Sequence, residues 1–152
     1  FSEVDTEDFR VVLVDGSLDG TWWKDHTFDD LPGDWEVHPR FSQEKMDDFY
    51  AEIDVLLFMS QWKETFGLAI REALARGIAV IQTDSGGTTE HGAISPDKLI
   101  PIGAPASQLK TQVKDAIDGH PRAQTVHSVA SFDDQAREFD SIVRDVLADV
   151  KR

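Results

Sequence analysis

Glu64 and Glu72 stand eight positions apart, with Gly67 between them and a mostly apolar run around them. Residues 66–76 read as a helix closed by Gly77, the residue type that takes a left-handed cap without a Cβ penalty. Glu64 precedes the first turn. A helix N-terminus leaves backbone N–H groups without intrahelical partners and carries the positive end of the helix dipole, so it suits an anion such as a phosphate. Gly67 in that turn lets a ligand approach the backbone closely. Glu72 falls at the edge of the main apolar face, made by Phe66, Ala69, Ile70, Ala73 and Leu74, about 12 Å along the axis from Glu64 if helical rise holds throughout. Two readings of Glu72 stand side by side: a ligand-binding carboxylate, and an (i, i+4) partner for Arg76. Leu68 and Ala75 lie opposite the main face, so the helix reads as buried on both sides.

The elements that must position these groups follow from the hydrophobic pattern. Residues 10–14 read as a strand stopped at Asp15-Gly16, and residues 35–38 as a short strand ended by Pro39. Ser42 can cap a helix running to Tyr50, with Met46, Phe49 and Tyr50 on one face. Residues 54–59 and 78–82 are continuous apolar runs, as expected of parallel strands covered on both faces. Residues 99–102 read as a short last strand, 106–117 as an amphipathic helix ended by Gly119 and Pro121, and 133–150 as another helix. Strand and helix alternating at this spacing predict an α/β fold with an open, doubly wound parallel sheet, Rossmann-like in plan. The chain runs almost at once into a strand, so such a domain lacks its first strand and helix, and a longer natural protein is expected.

In an open α/β sheet, ligands bind beyond the carboxyl ends of the strands. Three loops sit there: residues 38–41, 60–65 and 83–89. They and their flanks hold Arg40, Glu64, Ser85, Gly86, Gly87, Thr88 and Glu90, and they are expected to line one cleft to which Glu64, Glu72 and Gly86 contribute.

Composition narrows the function classes. The 152 residues are 40% hydrophobic and 29% charged, which is one ordinary globular domain rather than a disordered or coiled-coil chain. Net charge is −14, from 29 acidic and 15 basic residues, a surface that repels nucleic-acid phosphates and anionic headgroups. No nucleic-acid partner and no direct membrane insertion are therefore expected. Cysteine and asparagine are both absent, which removes disulfides, thiolate metal sites and N-glycosylation. No signal peptide and no long apolar run are visible, and a cytoplasmic location is expected.

Other constellations carry less. His26 with Asp25, Asp29 and Asp30 fits no standard metal spacing and reads as a solvated loop. Residues 84–87 lack the first glycine of a nucleophile elbow, and residues 15–20 miss the dinucleotide fingerprint. Trp22-Trp23 reads as a loop packed onto the domain, with an exposed sugar platform as the alternative. His91 reads as a loop residue rather than a base.

The run Glu64-Thr65-Phe66-Gly67-Leu68, followed by Glu72-Ala73-Leu74-Ala75-Arg76-Gly77-Ile78-Ala79-Val80-Ile81, resembles the E-x7-E signature of the family-four retaining glycosyltransferases of the GT-B fold. The flanks agree: Ile53-Asp54-Val55-Leu56-Leu57-Phe58-Met59-Ser60 is similar to the strand before that motif, and Thr83-Asp84-Ser85-Gly86-Gly87-Thr88-Thr89-Glu90 to the loop after it. The similarity is dense from Ile53 to Glu90 and looser from Arg10 to Ile117. It implies a C-terminal domain that binds a nucleoside-diphosphate sugar, in an enzyme of polysaccharide biosynthesis that passes a hexosyl group to an acceptor hydroxyl with retention. By that resemblance Glu64 is the catalytic-site carboxylate at the donor sugar hydroxyls and Glu72 holds the ribose. The backbone of Phe66, Gly67 and Leu68 faces the sugar and diphosphate. Arg40 and Phe41 flank the base, and Gly86 and Gly87 let their loop pass close. Carboxylates suit these roles as bidentate acceptors for vicinal hydroxyls. No cofactor and no metal are implied, the nucleotide sugar being a substrate.

Met59 and Ala79 stand where the family usually has proline, which removes no ligand-binding group. The first βα unit, with its arginine and lysine for the diphosphate, and the N-terminal acceptor domain do not occur in these residues. The chain alone is therefore expected to bind donor weakly and to transfer nothing, and any peripheral membrane contact is expected through the missing domain. Two alternatives remain: another GT-B sugar-nucleotide enzyme, such as an epimerase or phosphorylase-like enzyme, and a non-catalytic binding or scaffold domain. The glutamate pair discriminates against the last, since a scaffold has no chemical need of it.

Overall fold

A computed structural model of the chain describes residues 8–16, 27–119 and 130–150. The Trp22-Trp23 pair, Asp25, His26 and Pro121 lie outside the described residues. The architecture is mixed α/β with parallel strands in two small sheets, consistent with a Rossmann-like domain. Strand β1 (Arg10–Asp15) pairs in parallel with β2 (Asp34–Pro39), Val11 opposite Trp35 and Leu13 opposite Val37. Strand β3 (Val55–Phe58) pairs in parallel with β4 (Ala79–Gln82), Leu56 opposite Val80 and Leu57 opposite Ile81. Instead of one continuous sheet there are two halves, with no ladder joining β1 to β3. Pro39, expected to end its strand, is the last paired residue of β2. β2 pairs on one side only, so the missing proline N–H costs no ladder bond on its open edge.

Residues 43–45 form one 3-10 turn that leads into helix α1 (Met46–Ala51). Ser42 occupies the cap position, but its side chain makes no capping bond, contrary to the expected role. Helix α2 (Leu68–Ala75) connects β3 to β4, α3 (Ala106–Gly119) follows β4 after a long connection, and α4 (Phe132–Val150) ends the described chain. The expected strand at 99–102 reduces to a single parallel bridge between Ile100 and Thr83. Pro101 follows that bridge and has no N–H with which to extend it.

The core lies on the two faces of the β3–β4 pair, because alternate side chains of a strand point to opposite sides. On one face Leu56 and Val80 pack with Tyr50 of α1, Ala73 of α2 and Ile78. On the other, Val55, Leu57 and Ile81 pack with Ile100 and with Leu109 and Val113 of α3. This helix–sheet–helix sandwich fixes the carboxyl ends of β3 and β4, where the loops at 60–65 and 83–89 leave it. Between the first sheet and α1 lies a cavity of about 480 Å³, bounded among others by Arg10, His38, Lys45, Phe49 and Glu52. An Arg10–Glu52 ion pair at 3.2 Å and an edge-on His38–Phe49 ring contact tie the first sheet to α1 and its C-terminal turn. Along α4, Phe139, Ile142, Val146 and Leu147 are exposed on one stripe. No described helix is long and apolar enough to cross a membrane.

Candidate functional site

The loop from β3 to α2 and the loop after β4 are zipped together at Glu64. Its N–H donates to the Ser85 carbonyl at 2.8 Å, and its own carbonyl accepts from Gly87 N–H at 3.1 Å, making a parallel bridge with Gly86. Gly86 has a φ of 80°, a conformation that side-chain-bearing residues rarely adopt. Gly87 needs to be glycine for a different reason: a Cβ there would overlap the Thr65 carbonyl oxygen. Below this seam the Ser85 and Thr88 hydroxyls, both fully buried, bond each other at 2.8 Å. The segment that Gly87 approaches is the loop that carries Glu64.

Helix α2 starts two residues later than its apolar pattern predicts, because Gly67 at the cap adopts a left-handed φ of 69°. Phe66 consequently lies outside the helix and is 41% exposed. A Cβ on Gly67 would sit 2.9 Å from the Thr88 methyl, so glycine is required by both conformation and space. The first intrahelical bond runs from Arg71 N–H to the Gly67 carbonyl, which leaves the N–H groups of Leu68, Ala69 and Ile70 ahead of the helical ladder. Ile70, Ala73 and Leu74 are buried, but Leu68 is 67% exposed, so α2 is covered on one side rather than both. Arg71 folds back over this terminus: its guanidinium stacks 3.7 Å from the Phe66 ring centroid and donates to the Phe66 carbonyl at 2.7 Å. Lys63 donates to the Asp84 carbonyl at 3.3 Å. The motif reading did not single out either cation, since neither side chain belongs to a recognisable pattern.

Each motif glutamate has one neutral hydroxyl on its carboxylate. Ser60 Oγ donates to Glu64 Oε1 at 2.9 Å, and Thr83 Oγ1 anchors Ser60 through its carbonyl at 2.7 Å. Tyr50 Oη donates to Glu72 Oε2 at 3.3 Å. Burial, then the Glu72 charge and hydrogen bond, push the Tyr50 phenol up to about 12, against a smaller opposing effect of Arg76. The alternative reading of Glu72 as the (i, i+4) partner of Arg76 is not realised. Arg76 directs its side chain to Asp47, with Nε 2.9 Å from Oδ1, and reaches Glu72 only at its backbone carbonyl.

Of the three loops expected to line one cleft, two are joined by hydrogen bonds. The loops at 60–65 and 83–89 come together around Glu64, and Glu72 lies farther along α2. Phe41 instead stacks on Phe49 at 4.5 Å and borders the cavity beside α1, and no hydrogen bond or ring contact links Arg40 or Phe41 to Glu64, Glu72 or Gly86. Their loop leaves β2, which belongs to the other small sheet, so nothing in the hydrogen-bonded ladder brings it to α2.

No curated protein and no solved structure matches the chain significantly. The family model described as "Glycosyl transferases group 1" matches residues 4–117, a span that takes in both sheets, α1, α2, most of α3 and every loop just described. With parallel strands in a Rossmann-like α/β arrangement and a glycine-bearing loop zipped to a helix N-terminus, the chain belongs to the group 1 glycosyl transferase family.

Proposed function

We propose that the chain is the donor-binding domain of a retaining, family-four glycosyltransferase, in which Glu64 receives the donor sugar hydroxyls and Glu72 the ribose. The observation that carries this reading is the placement of the two carboxylates on either side of the α2 N-terminus. Glu64 is fixed by the seam to Gly86 and Gly87, and each carboxylate has a neutral hydroxyl on one oxygen. The N–H groups of Leu68, Ala69 and Ile70, with the positive end of the α2 dipole, suit the diphosphate. A leaving diphosphate gains negative charge as its bond to the anomeric carbon breaks, and fixed donors and cations stabilise that charge without a metal ion. The acceptor hydroxyl oxygen forms the new bond to the same carbon on the same face and gives up its proton to the departing diphosphate oxygen.

In this reading the enzyme acts in the cytoplasm, and its diphosphate site takes further cations besides those described. An acceptor domain completes the enzyme that moves a hexosyl group in polysaccharide assembly. The 152 residues alone then bind a nucleoside diphosphate with millimolar-order affinity, roughly −4 kcal/mol, and transfer no sugar. The test is assay of the full-length enzyme with nucleoside-diphosphate hexoses, followed by the anomeric configuration of the product. Retention of the donor configuration supports the reading, and an inverted product overturns it.

A further inference from the structure

We propose that Tyr50 is a positioning residue for Glu72: its hydroxyl holds one carboxylate oxygen, so that the other is presented to the ligand. This rests on the reading of Glu72 as a nucleotide-binding carboxylate. Tyr50 lies on α1, 22 residues away in sequence, and its ring is buried in the core beside Ala73 and Ile78. A phenylalanine would fill that space equally well, and the hydroxyl adds a polar tip that needs a partner when buried. It finds two acceptors, both on α2: Glu72 Oε2 at 3.3 Å and the Ala69 carbonyl at 3.4 Å. The single hydroxyl proton is shared between these two acceptors, the carboxylate being the nearer.

The neighbouring cation does not compete. Arg76 lies four residues on from Glu72, where an ion pair would form readily, yet its guanidinium goes to Asp47. It packs 5.0 Å from the Tyr50 ring centroid. Among the described residues Tyr50 is the side chain that hydrogen-bonds the Glu72 carboxylate, and none of them donates to Oε1. A tight Arg–Glu pair would occupy both oxygens and neutralise the charge. A neutral phenol orients the group and preserves its charge and accepting capacity. The phenol stays protonated throughout the physiological range, so it remains a donor.

The experiment uses the 152-residue chain, its Tyr50→Phe, Glu72→Gln and doubly substituted forms, and titrations with uridine, guanosine and adenosine diphosphates. Tyr50→Phe is expected to weaken binding about three- to tenfold while leaving the melt close to that of the parent. The double variant is expected to bind no more weakly than Glu72→Gln alone, because the two residues act as one unit. Tyr50 is the sole tyrosine of the chain, so ¹³C at its Cζ gives one resonance that reads the bond in the unsubstituted protein. That resonance is expected to shift with nucleotide and to saturate with the same curve as the Gly67 and Gly86 amides. Glycine amides that respond while Cζ stays fixed, or a Glu72→Gln defect with normal binding by Tyr50→Phe, overturn the positioning role and leave the donor reading standing. Unchanged binding by Glu72→Gln, or no shift at any of these nuclei, overturns the donor reading itself.

Discussion

Ser60 Oγ lies 2.9 Å from Glu64 Oε1, and the buried Thr83 hydroxyl holds the Ser60 carbonyl at 2.7 Å. The Glu64 carboxylate is therefore oriented from the end of β3 while its backbone is clamped to the loop after β4. Both anchors lie just past the ends of β3 and β4, whose two faces are packed in the core, so the core sets the geometry.

Removal of that hydroxyl gives the first prediction. Ser60→Ala deletes one bond to a charged acceptor, of the kind typically worth about 1.5–3 kcal/mol, and leaves the fold in place. In the full-length enzyme kcat/KM is expected to fall by about tenfold or more, with Ser60→Thr retaining more activity than Ser60→Ala. Equal loss in both variants would point to packing instead of the hydroxyl.

The seam at Gly87 gives the second. Gly87→Ala forces a Cβ into the Thr65 carbonyl oxygen, so the two loops must separate. Overlap with backbone cannot be relieved by a rotamer change, and a stability loss above about 2 kcal/mol is expected by urea unfolding. Gly92→Ala is the control. Unlike Gly87 it has a positive φ, and nothing lies within 4 Å of its Cβ position, so a backbone penalty applies there without any overlap. A smaller loss at Gly87 than at Gly92 would contradict the clamp.

Tyr50 predicts a pH dependence. Its phenol is raised from 10.0 to about 12 in the folded chain, chiefly by burial and then by Glu72. The neutral form is thus favoured by folding. This contribution is fully present below about pH 10 and is lost as pH rises towards 12. Unfolding free energy is expected to decline over that window more steeply than in Tyr50→Phe. Absorbance of tyrosinate reports this group alone, because the chain has one tyrosine. Parallel pH profiles for the two proteins would show that the folded and unfolded phenols titrate alike.

The Arg76–Asp47 pair is exposed on the aspartate side and contributes little by the usual measure of surface pairs, under about 1 kcal/mol. Asp47→Ala is expected to shift the melting temperature only slightly and to leave nucleotide affinity within about twofold. A large affinity loss would mean that Asp47 keeps Arg76 from closing onto Glu72.

Much of this was legible in the residues. The Val, Ile and Leu runs of β1, β3 and β4 can only be strands or buried helix, and their short length with glycine or turn residues at the ends selects strands. The paired glycines marked a tight backbone position, because close approach requires glycine whatever its partner. Local override explains the misses. Gly67 turns left-handed and so removes Phe66 from the helix that its spacing suggested. Pro101 stops the ladder at Ile100. Pairings over long sequence distance were not legible at all: Tyr50 with Glu72 and Arg76 with Asp47 depend on how α1 lies against α2, which no local pattern encodes.

The most direct test of the donor site is titration of the chain with a nucleoside-diphosphate sugar, observed at the backbone amides and repeated with Glu64→Gln and Glu72→Gln. The account predicts saturable shifts at Gly67, Leu68, Gly86 and Gly87, and affinity about tenfold or more weaker in Glu72→Gln, the loss of a charge-assisted bond. Shifts confined to other parts of the chain, or affinities untouched by both substitutions, would contradict it.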